Sequence, residues 1–242
     1  MIEIKCVIAA AGKGTRSRLN YPKTLYKIDG KSILSRQLSV LKKFDNRPTL
    51  IVSNSGKELI DCELNREGYD CETLIQKNQI GMGNALLQVK KSEYYTKSKN
   101  FLLVWGDIPF LRSKLLKVLV ASHLQSNSEF SFISGYTNNP YTIVVRNHED
   151  EVISLEETHK SFQEFDNKHK RKGERDIGVF LFKKSVIDLL EKDLDGKFNI
   201  DGEHGFLYIV KHLFDLGRKV IALPIANQKS DFIGFNSLED LE

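Results

Sequence analysis

The stretch that decides the fold is "IAAAGKGTRSRLNYPKTLYKIDGKSIL", residues 8–34. It begins as an apolar strand and continues into a loop of small residues that is crowded with cations. Seven basic residues fall within the first 31 positions, against two acidic ones, whereas the whole chain has a net charge of +4. The excess positive charge is therefore local, and a cluster on one loop favours a compact polyanion as ligand. From charge alone, a solvated basic face is an equally open interpretation.

The length and composition predict one globular domain. The chain has 242 residues, of which 40% are hydrophobic and 28% charged, and we expect residues 1–242 to form a single domain. No apolar run reaches the ~18 residues that a membrane span needs, and "MIEIKCVIAA" has no signal-peptide pattern. Three cysteines without CxxC spacing predict reduced thiols. We therefore expect a cytoplasmic protein that binds neither nucleic acid nor membrane.

Strand-like and helical patterns alternate along the chain. The apolar strand-like runs are Ile4–Ala9, Thr49–Val52, Glu72–Ile75, Phe101–Trp105, Phe130–Ser134, Ile177–Phe182 and Val220–Pro224. The helical patterns are Ser32–Phe44, Gly83–Lys91, Ser113–Ser126, Ser185–Leu194 and Phe206–Leu216. Such alternation is typical of parallel βαβ units with right-handed crossovers. The pattern predicts an α/β fold with a Rossmann-like, mostly parallel sheet.

A segment around residues 137–176 departs from this alternation. "TIVVRNHEDEVISLEE", residues 142–157, contains two short strands around a polar turn and predicts a β-hairpin. The polar residues 157–176 that follow have little periodicity, and we expect a mobile loop there. The segment is thus predicted to be a β-rich insertion that covers the carboxyl edge of the sheet as a flap.

Ligands of such sheets bind beyond the carboxyl ends of the strands, where the opening stretch lies. Its alanines and glycines let a ligand approach the backbone, whose N–H groups can hold phosphate oxygens. Arg16 can donate two hydrogen bonds to a phosphate, and Lys23 can act as a point charge. The dinucleotide fingerprint G-x-G-x-x-G is absent, which disfavours a nicotinamide-dependent oxidoreductase, and the G-x-x-x-x-G-K-[ST] loop is absent as well.

The remaining pattern, "AAGKGTR" followed by "PKTLYKIDGKSIL", resembles the signature of sugar-1-phosphate nucleotidyltransferases. Within that family the chain is most similar to the uridylyltransferase domain of bacterial N-acetylglucosamine-1-phosphate uridyltransferase. Further segments resemble the family's motifs in the same order: "QKNQIGMGNAL" (76–86), "VWGDIPFL" (104–111), Glu157, "DIGVF" (176–180), "DGEHGFLYIV" (201–210) and "GFN" (234–236). The resemblance covers nearly the whole chain and implies a GT-A-like nucleotidyltransferase fold.

The resemblance also implies a set of site residues. Asp107 and Asn236 would bind Mg2+ through oxygen, although Asp107 taken alone would also suit a turn. Arg16 and Lys23 would be the catalytic residues, with Arg16 on the leaving β and γ phosphates and Lys23 near the α phosphate. The substrate-binding residues would be Ala10, Ala11, Gly12, Gly14, Thr15, Gln76, Gln79, Gly81, Thr142, Glu157 and Asp176.

The implied reaction transfers a nucleoside monophosphate from a nucleoside triphosphate, with UTP as the expected donor, to a sugar 1-phosphate. The products are a nucleotide-sugar and pyrophosphate. The attacking phosphate has a second pKa of ~6, so no general base is needed, and catalysis consists of positioning and charge neutralisation. The expected partners are therefore the triphosphate and a phosphorylated small-molecule acceptor, and a homo-oligomer is left open.

Several residues differ from the family pattern, mostly on the acceptor side. Thr142 stands where the family has glycine, and Asp176 stands where it has asparagine. We hypothesise that the extra carboxylate favours an amine-bearing or differently hydroxylated acceptor. Two alternatives stay open: a related transferase that uses CTP or GTP with another phosphorylated acceptor, and a non-catalytic nucleotide-binding regulator.

Overall fold

The structure is a computed structural model that describes residues 2–12, 19–138, 140–157, 172–192, 199–200 and 203–241. The strands are β1 (Ile2–Ala10), β2 (Lys27–Ile28), β3 (Lys31–Ser32), β4 (Thr49–Ser53), β5 (Glu72–Gln76), β6 (Ser98–Trp105), β7 (Phe130–Asn138), β8 (Thr142–Arg146), β9 (Val152–Glu157), β10 (Lys172–Lys183), β11 (Asn199–Ile200), β12 (Glu203–His204) and β13 (Val220–Leu223). The α-helices are α1 (Ile33–Leu41), α2 (Lys57–Glu67), α3 (Met82–Leu87), α4 (Ser113–Ser126), α5 (Lys184–Lys192) and α6 (Ile209–Asp215).

Seven strands form one central sheet in the order β13-β7-β10-β6-β1-β4-β5. The pairs β1–β4, β1–β6, β4–β5 and β7–β13 are parallel, as the alternating pattern predicts. The prediction of a mostly parallel α/β sheet is confirmed. β10 is the exception, because it runs antiparallel to both of its neighbours, β6 and β7. The predicted strand Ile177–Phe182 is therefore present, and it is the antiparallel member of a mostly parallel sheet.

Each face of the sheet carries its own apolar layer. On one face, a group of phenylalanines from β7 and β10, including Phe130 and Phe180, packs around Phe206. On the other face, leucines of α1 and α4 such as Leu38 and Leu116 belong to one apolar layer with residues of β1 and β4, and α4 contacts β7 and β10. Fully burying each such side chain contributes about 1.5–3 kcal/mol relative to leaving it exposed. Helices on both faces leave the carboxyl ends of the parallel strands open for a ligand.

The insertion is partly as predicted. β8 and β9 pair antiparallel, with Thr142 opposite Glu157, so the predicted hairpin is confirmed. The expected loop over 157–176 is wrong at its end, because residues 172–176 belong to the long strand β10. Residues 158–171, which hold the rest of that expected loop, lie outside the described residues.

Helix α2 was not predicted, because only Ile60 and Leu64 of its eleven residues are buried and its charged residues obscure the period. None of the helices in the described ranges is long and apolar enough to cross a bilayer. Cys6, Cys62 and Cys71 are free thiols, and burial raises the pKa of Cys6 well above its ordinary value. The assignment of residues 1–242 to one domain stays a prediction.

Candidate active site

A cavity of about 700 Å³ lies at the carboxyl edge of the sheet. Its walls come from the ends of β1, β5, β6 and β10, from the foot of the hairpin and from the segment after β13. Ten of the residues predicted from the sequence line it: Ala10, Ala11, Gly12, Lys23, Gln76, Gln79, Gly81, Asp107, Glu157 and Asn236. Gly14, Thr15 and Arg16 lie outside the described residues. The cavity therefore brings together candidates that are more than 200 positions apart in the chain.

Three distant segments meet at Asp107. The Lys23 ammonium donates to Asp107 Oδ2 at 2.6 Å, and the two side chains are each only 19% exposed. The N–H of Phe235 donates to the Asp107 carbonyl oxygen at 2.7 Å, which places the neighbouring Asn236 beside the same turn. The ring of Phe235 stacks on Tyr26 with centroids 4.5 Å apart. The basic N-terminal segment, the turn after β6 and the C-terminal segment are thereby held against one another.

The turn that carries Asp107 is fixed by its neighbours. Gly106 donates its N–H to the carbonyl oxygen of Ala9 at 2.9 Å, and a Cβ at this position would lie 2.7 Å from that oxygen. The buried amide of Gln37 donates to the carbonyl oxygens of Trp105 (2.8 Å) and Ile108 (2.9 Å), on either side of Asp107. Only glycine fits so close to β1, and Gln37 gives the Ile108 carbonyl a donor and the Trp105 carbonyl a second one besides the N–H of Ile108. The orientation of the carboxylate is therefore determined by the fold.

Asp107 and Asn236 form an oxygen donor set that fits Mg2+. The Asn236 side-chain NH2 donates to the Gly234 carbonyl oxygen at 3.2 Å, so its amide oxygen is the atom that it can offer to an ion. Within the described residues, no group of three or more His, Cys, Asp or Glu side chains could hold a metal. Mg2+ is commonly bound by one or two protein oxygens together with water and substrate phosphates, so a pair of ligands suffices.

The opposite end of the cavity carries the two predicted glutamines. Gln76 is buried, and its amide NH2 donates to the carbonyl oxygen of Gly81 (3.1 Å) and to Asn84 Oδ1 (3.0 Å). Gln79 donates its amide N–H to the carbonyl oxygen of Ala11. Since the Gln76 NH2 group is used within the protein, this side chain can meet a ligand only through its oxygen, which is a hydrogen-bond acceptor.

Two predicted acceptor-side residues point away from the cavity. Thr142 and Asp176 are both buried, and neither lines the cavity wall. The Thr142 hydroxyl donates to Asp176 Oδ2, and the N–H of Gly178 donates to Asp176 Oδ1 at 2.7 Å. Burial raises the pKa of Asp176, and these hydrogen bonds oppose the rise. The structure thus places the extra carboxylate inside the protein, which removes the basis for the hypothesis of an amine-bearing acceptor.

The structure also shows cavity residues that the sequence reasoning missed. Arg175 lines the wall formed by β10, and its signal in the sequence was only a charge in a polar stretch. Asp231 lies in the segment after β13, where Arg112 donates to its carboxylate through Nε at 2.6 Å and through Nη2. The N–H groups of Asn227 and Gln228 donate to the same carboxylate, each at 3.0 Å. These bonds anchor the C-terminal segment over the cavity, a contact between distant positions that no local pattern indicates.

Comparisons with known proteins find curated relatives that are longer than this chain. Bifunctional protein GlmU of Buchnera aphidicola subsp. Schizaphis graminum is 32% identical over 164 residues, which is 67% of this chain and 34% of that protein. Bifunctional protein GlmU of Clostridioides difficile is 26% identical over 243 residues, which is 99% of this chain and 50% of that protein. The chain thus spans half the length, or less, of these curated relatives.

Two solved structures share the fold. The inositol-1-phosphate CTP transferase from T. maritima superposes with a TM-score of 0.75 at 19% identity and covers 100% of this chain and 93% of that one. A Bacillus anthracis protein assigned as a glucose-1-phosphate thymidylyltransferase, solved with sucrose, gives a TM-score of 0.79 at 16% identity, with coverage of 98% and 92%.

A family model described as the MobA-like NTP transferase domain matches residues 6–194, most of the chain. This match confirms the resemblance to nucleotidyltransferases that the sequence motifs carry. The chain belongs to the MobA-like NTP transferase domain family.

Proposed function

We propose that the protein transfers a nucleoside monophosphate from UTP to a sugar 1-phosphate, with release of pyrophosphate. The observation that carries this proposal is the meeting of Lys23, Asp107 and Asn236 in one cavity beside the glycine-containing loop after β1. A cation, a carboxylate and an amide oxygen in this arrangement suit a triphosphate and the ion that accompanies it. The free thiols favour a reducing compartment, so we place the reaction in the cytoplasm.

The residues of the chain would act by position and charge. Lys23 gives one of its three ammonium hydrogens to Asp107 and can donate the others to a phosphate near the reacting phosphorus. The backbone of Ala10–Gly12 offers close approach to the triphosphate, and Arg16 would take the β and γ phosphates. Asp107 and Asn236 would hold Mg2+, which when bound supplies positive charge between the two phosphorylated substrates. The acceptor phosphate is already an anion near neutral pH, so none of these residues needs to remove a proton.

The expected donor base is a pyrimidine. The two structural neighbours are described as a CTP transferase and a thymidylyltransferase, and each acts on a 1-phosphate. The resemblance of the sequence motifs favours uracil within this class. The Gln76 amide oxygen, whose NH2 group is already engaged, is an acceptor suited to the ring N–H of uracil.

A substrate panel tests the proposal. Pyrophosphate release is measured with each of the four common nucleoside triphosphates and a series of sugar 1-phosphates, in the presence of Mg2+. We expect turnover with UTP and at least one sugar 1-phosphate, and a loss of at least ~100-fold in Asp107→Asn. Asp29→Asn is the matched control, because Asp29 is an exposed turn residue, and it should keep the wild-type rate.

The outcomes separate the alternatives. Nucleotide binding without turnover of any pair would refute the transferase proposal in favour of a regulator. If turnover is faster with CTP or GTP than with UTP, the protein is a nucleotidyltransferase but UTP is not its preferred donor. Metal-dependent turnover at the wild-type rate in Asp107→Asn would show that the metal assignment is wrong.

A further inference from the structure

Arg175 stands out among the charged residues of the cavity wall. Within the described part of that wall, the basic residues are Lys23 and Arg175. Lys23 is ion-paired with Asp107 at 2.6 Å. The Arg175 guanidinium donates through Nε to the carbonyl oxygen of Asp176 at 2.9 Å and makes no salt bridge with any described residue. The buried Asp176 carboxylate attracts this charge, but among the described residues no carboxylate accepts a hydrogen bond from it, so its remaining N–H groups are available for an anionic ligand.

The strand order places Arg175 across the cavity from the carboxyl end of β1. β6, which ends just before Asp107, lies between β1 and β10 in the sheet. Val179 of β10 pairs with Val104 of β6, and β10 runs antiparallel. The residues that precede Val179 therefore run alongside those that lead to Asp107. With neighbouring strands ~4.8 Å apart, the ends of β1 and β10 are separated by roughly 10 Å, with Asp107 between them.

This spacing suits a reaction between two phosphorylated molecules. Ala11 and Gly12, which follow β1, and Lys23 line the part of the cavity where the triphosphate is proposed to bind. The other side is formed by Arg175 together with Tyr141 and Glu157 at the foot of the hairpin. A second anion on that side would be repelled by the triphosphate unless a cation neutralised it. Arg175 is the described residue in a position to do so.

We propose that Arg175 binds the phosphate group of the acceptor and aims it at the α phosphorus of the nucleotide; this inference rests on the proposed function. An oxygen lone pair of the acceptor phosphate would form the new bond to the α phosphorus, while the bond from that phosphorus to the bridging oxygen of pyrophosphate breaks. The attacking phosphate is a dianion, so no proton has to be removed. Arginine stays protonated, so it acts through charge and through its two parallel N–H groups, which match a phosphate.

The test compares substrate constants in Arg175→Ala and Arg175→Lys. Loss of a charge-assisted hydrogen bond predicts a rise in the KM for the acceptor of about 10- to 100-fold in Arg175→Ala, with the KM for the triphosphate changed less than about twofold. Arg175→Lys should lie between, because lysine retains the charge but not the paired N–H groups. Added guanidinium ion should partly restore Arg175→Ala, whereas ammonium at the same ionic strength should not.

Arg66→Ala is the matched control. Arg66 lies at the C-terminal end of α2, where it pairs with Glu63 and Glu67, and its loss makes the same change in net charge. It should leave both KM values unchanged. Arg175→Ala should fold with at most a small drop in melting temperature, because it loses one hydrogen bond to a backbone carbonyl and the attraction to the buried Asp176 carboxylate. Equal increases of both KM values, or an unchanged acceptor KM, would overturn the proposal.

A binding measurement separates this proposal from the proposed function. Equilibrium dialysis with radiolabelled inorganic phosphate, in the presence of a non-hydrolysable triphosphate analogue, reports the acceptor-phosphate position without turnover. We expect wild type to bind phosphate and Arg175→Ala to lose most of that binding. If the substrate panel shows no turnover but this difference is found, the proposed function fails while the anion site stands. If phosphate binds equally to both proteins, Arg175 is not its ligand.

Discussion

The ion pair between Lys23 and Asp107 should compete with a metal ion for the same carboxylate. The ammonium occupies Asp107 Oδ2 at 2.6 Å, so a divalent cation that binds the protein alone has to share or displace it. Replacing Lys23 by Met removes the charge and keeps an unbranched side chain of similar length. We therefore expect Lys23→Met to bind a divalent cation more tightly than wild type in the absence of nucleotide.

The size of this effect follows from the environment of the pair. Both side chains are 19% exposed, which makes this a partly shielded, charge-assisted hydrogen bond and not a surface ion pair. Such bonds contribute about 1.5–3 kcal/mol, and a metal ion must overcome that amount to take the carboxylate from the ammonium. The dissociation constant of the metal should then fall by about 10- to 100-fold in Lys23→Met.

Mn2+ is a suitable probe, because it prefers the same oxygen ligands as Mg2+. The concentration of free Mn2+ can be measured from its electron paramagnetic resonance signal. Lys27→Met is the control, since Lys27 is exposed, lies four residues along the chain and makes the same change in charge. It should change Mn2+ affinity by less than about twofold. The double variant Lys23→Met with Asp107→Asn should lose the gain, because the carboxylate itself is then absent.

Two results would refute this reasoning. Equal Mn2+ affinities for Lys23→Met and Lys27→Met would show that the ion pair does not oppose metal binding. A gain in affinity that survives the Asp107→Asn replacement would show that the ion binds somewhere else in the protein. Neither result depends on enzymatic turnover.

Three further predictions concern stability, each measured by urea unfolding. Burial and, secondarily, Lys183 lower the pKa of His123 to about 4, so the unfolded chain takes up a proton below its ordinary pKa of 6.5 while the folded protein does not. Because of this group, the free energy of unfolding should fall by about 2 kcal/mol between pH 7 and pH 5. In His123→Gln the fall over the same pH range should be smaller by about that amount. Thr142→Val, which removes a donor to the buried Asp176, should cost about 1–3 kcal/mol; an unchanged midpoint would argue against that hydrogen bond. Gly81 has φ +101°, so Gly81→Ala should lower the free energy of unfolding by about 1–3 kcal/mol through backbone strain. The added Cβ would also lie 2.4 Å from the carbonyl oxygen of residue 204. Wild-type stability in this variant would contradict both the strain and the clash.

Much of the fold was predictable because its signals are local. Each strand of the central sheet is an apolar run, and Ser113–Ser126 shows its helical period along its whole length. The direction of β10 was not predictable in this way, since a parallel strand and an antiparallel strand can have the same apolar pattern. Its direction depends on the hairpin that precedes it, which returns the chain to the carboxyl edge of the sheet before β10 begins. Helix α2 was missed for a different reason, because it buries only Ile60 and Leu64.

The residues of the candidate site were also predictable only where their signals are local. Gly12 and Asp107 directly follow strands, and Lys23 belongs to the same opening motif as Gly12, so the sequence alone could place them at the carboxyl edge. Asp176 shows the limit of this reasoning: its neighbour Gly178 has φ +73°, and a register shift separates Asp176 from Phe180. These features of the backbone direct the carboxylate inward to Thr142 and leave Arg175 to face the cavity. Which of two adjacent charged residues faces a ligand is decided by one bulge, and no composition or spacing reveals it.

The charge of the cavity bears on the cluster of cations in the opening stretch of the sequence. The described wall contains the acidic residues Asp107, Glu157 and Asp240, besides Asp231, which Arg112 already neutralises. Against them stand Lys23, which Asp107 already engages, and Arg175. This part of the wall cannot by itself balance a nucleoside triphosphate and a second phosphate, since each brings several negative charges into a partly desolvated space. If the proposed substrates bind here, the remaining positive charge would come from a divalent ion and from the basic residues at positions 13–18, which follow Gly12 in the sequence. Spread evenly over the surface, the same charges would be screened beyond ~10 Å and would contribute little at the reacting phosphorus.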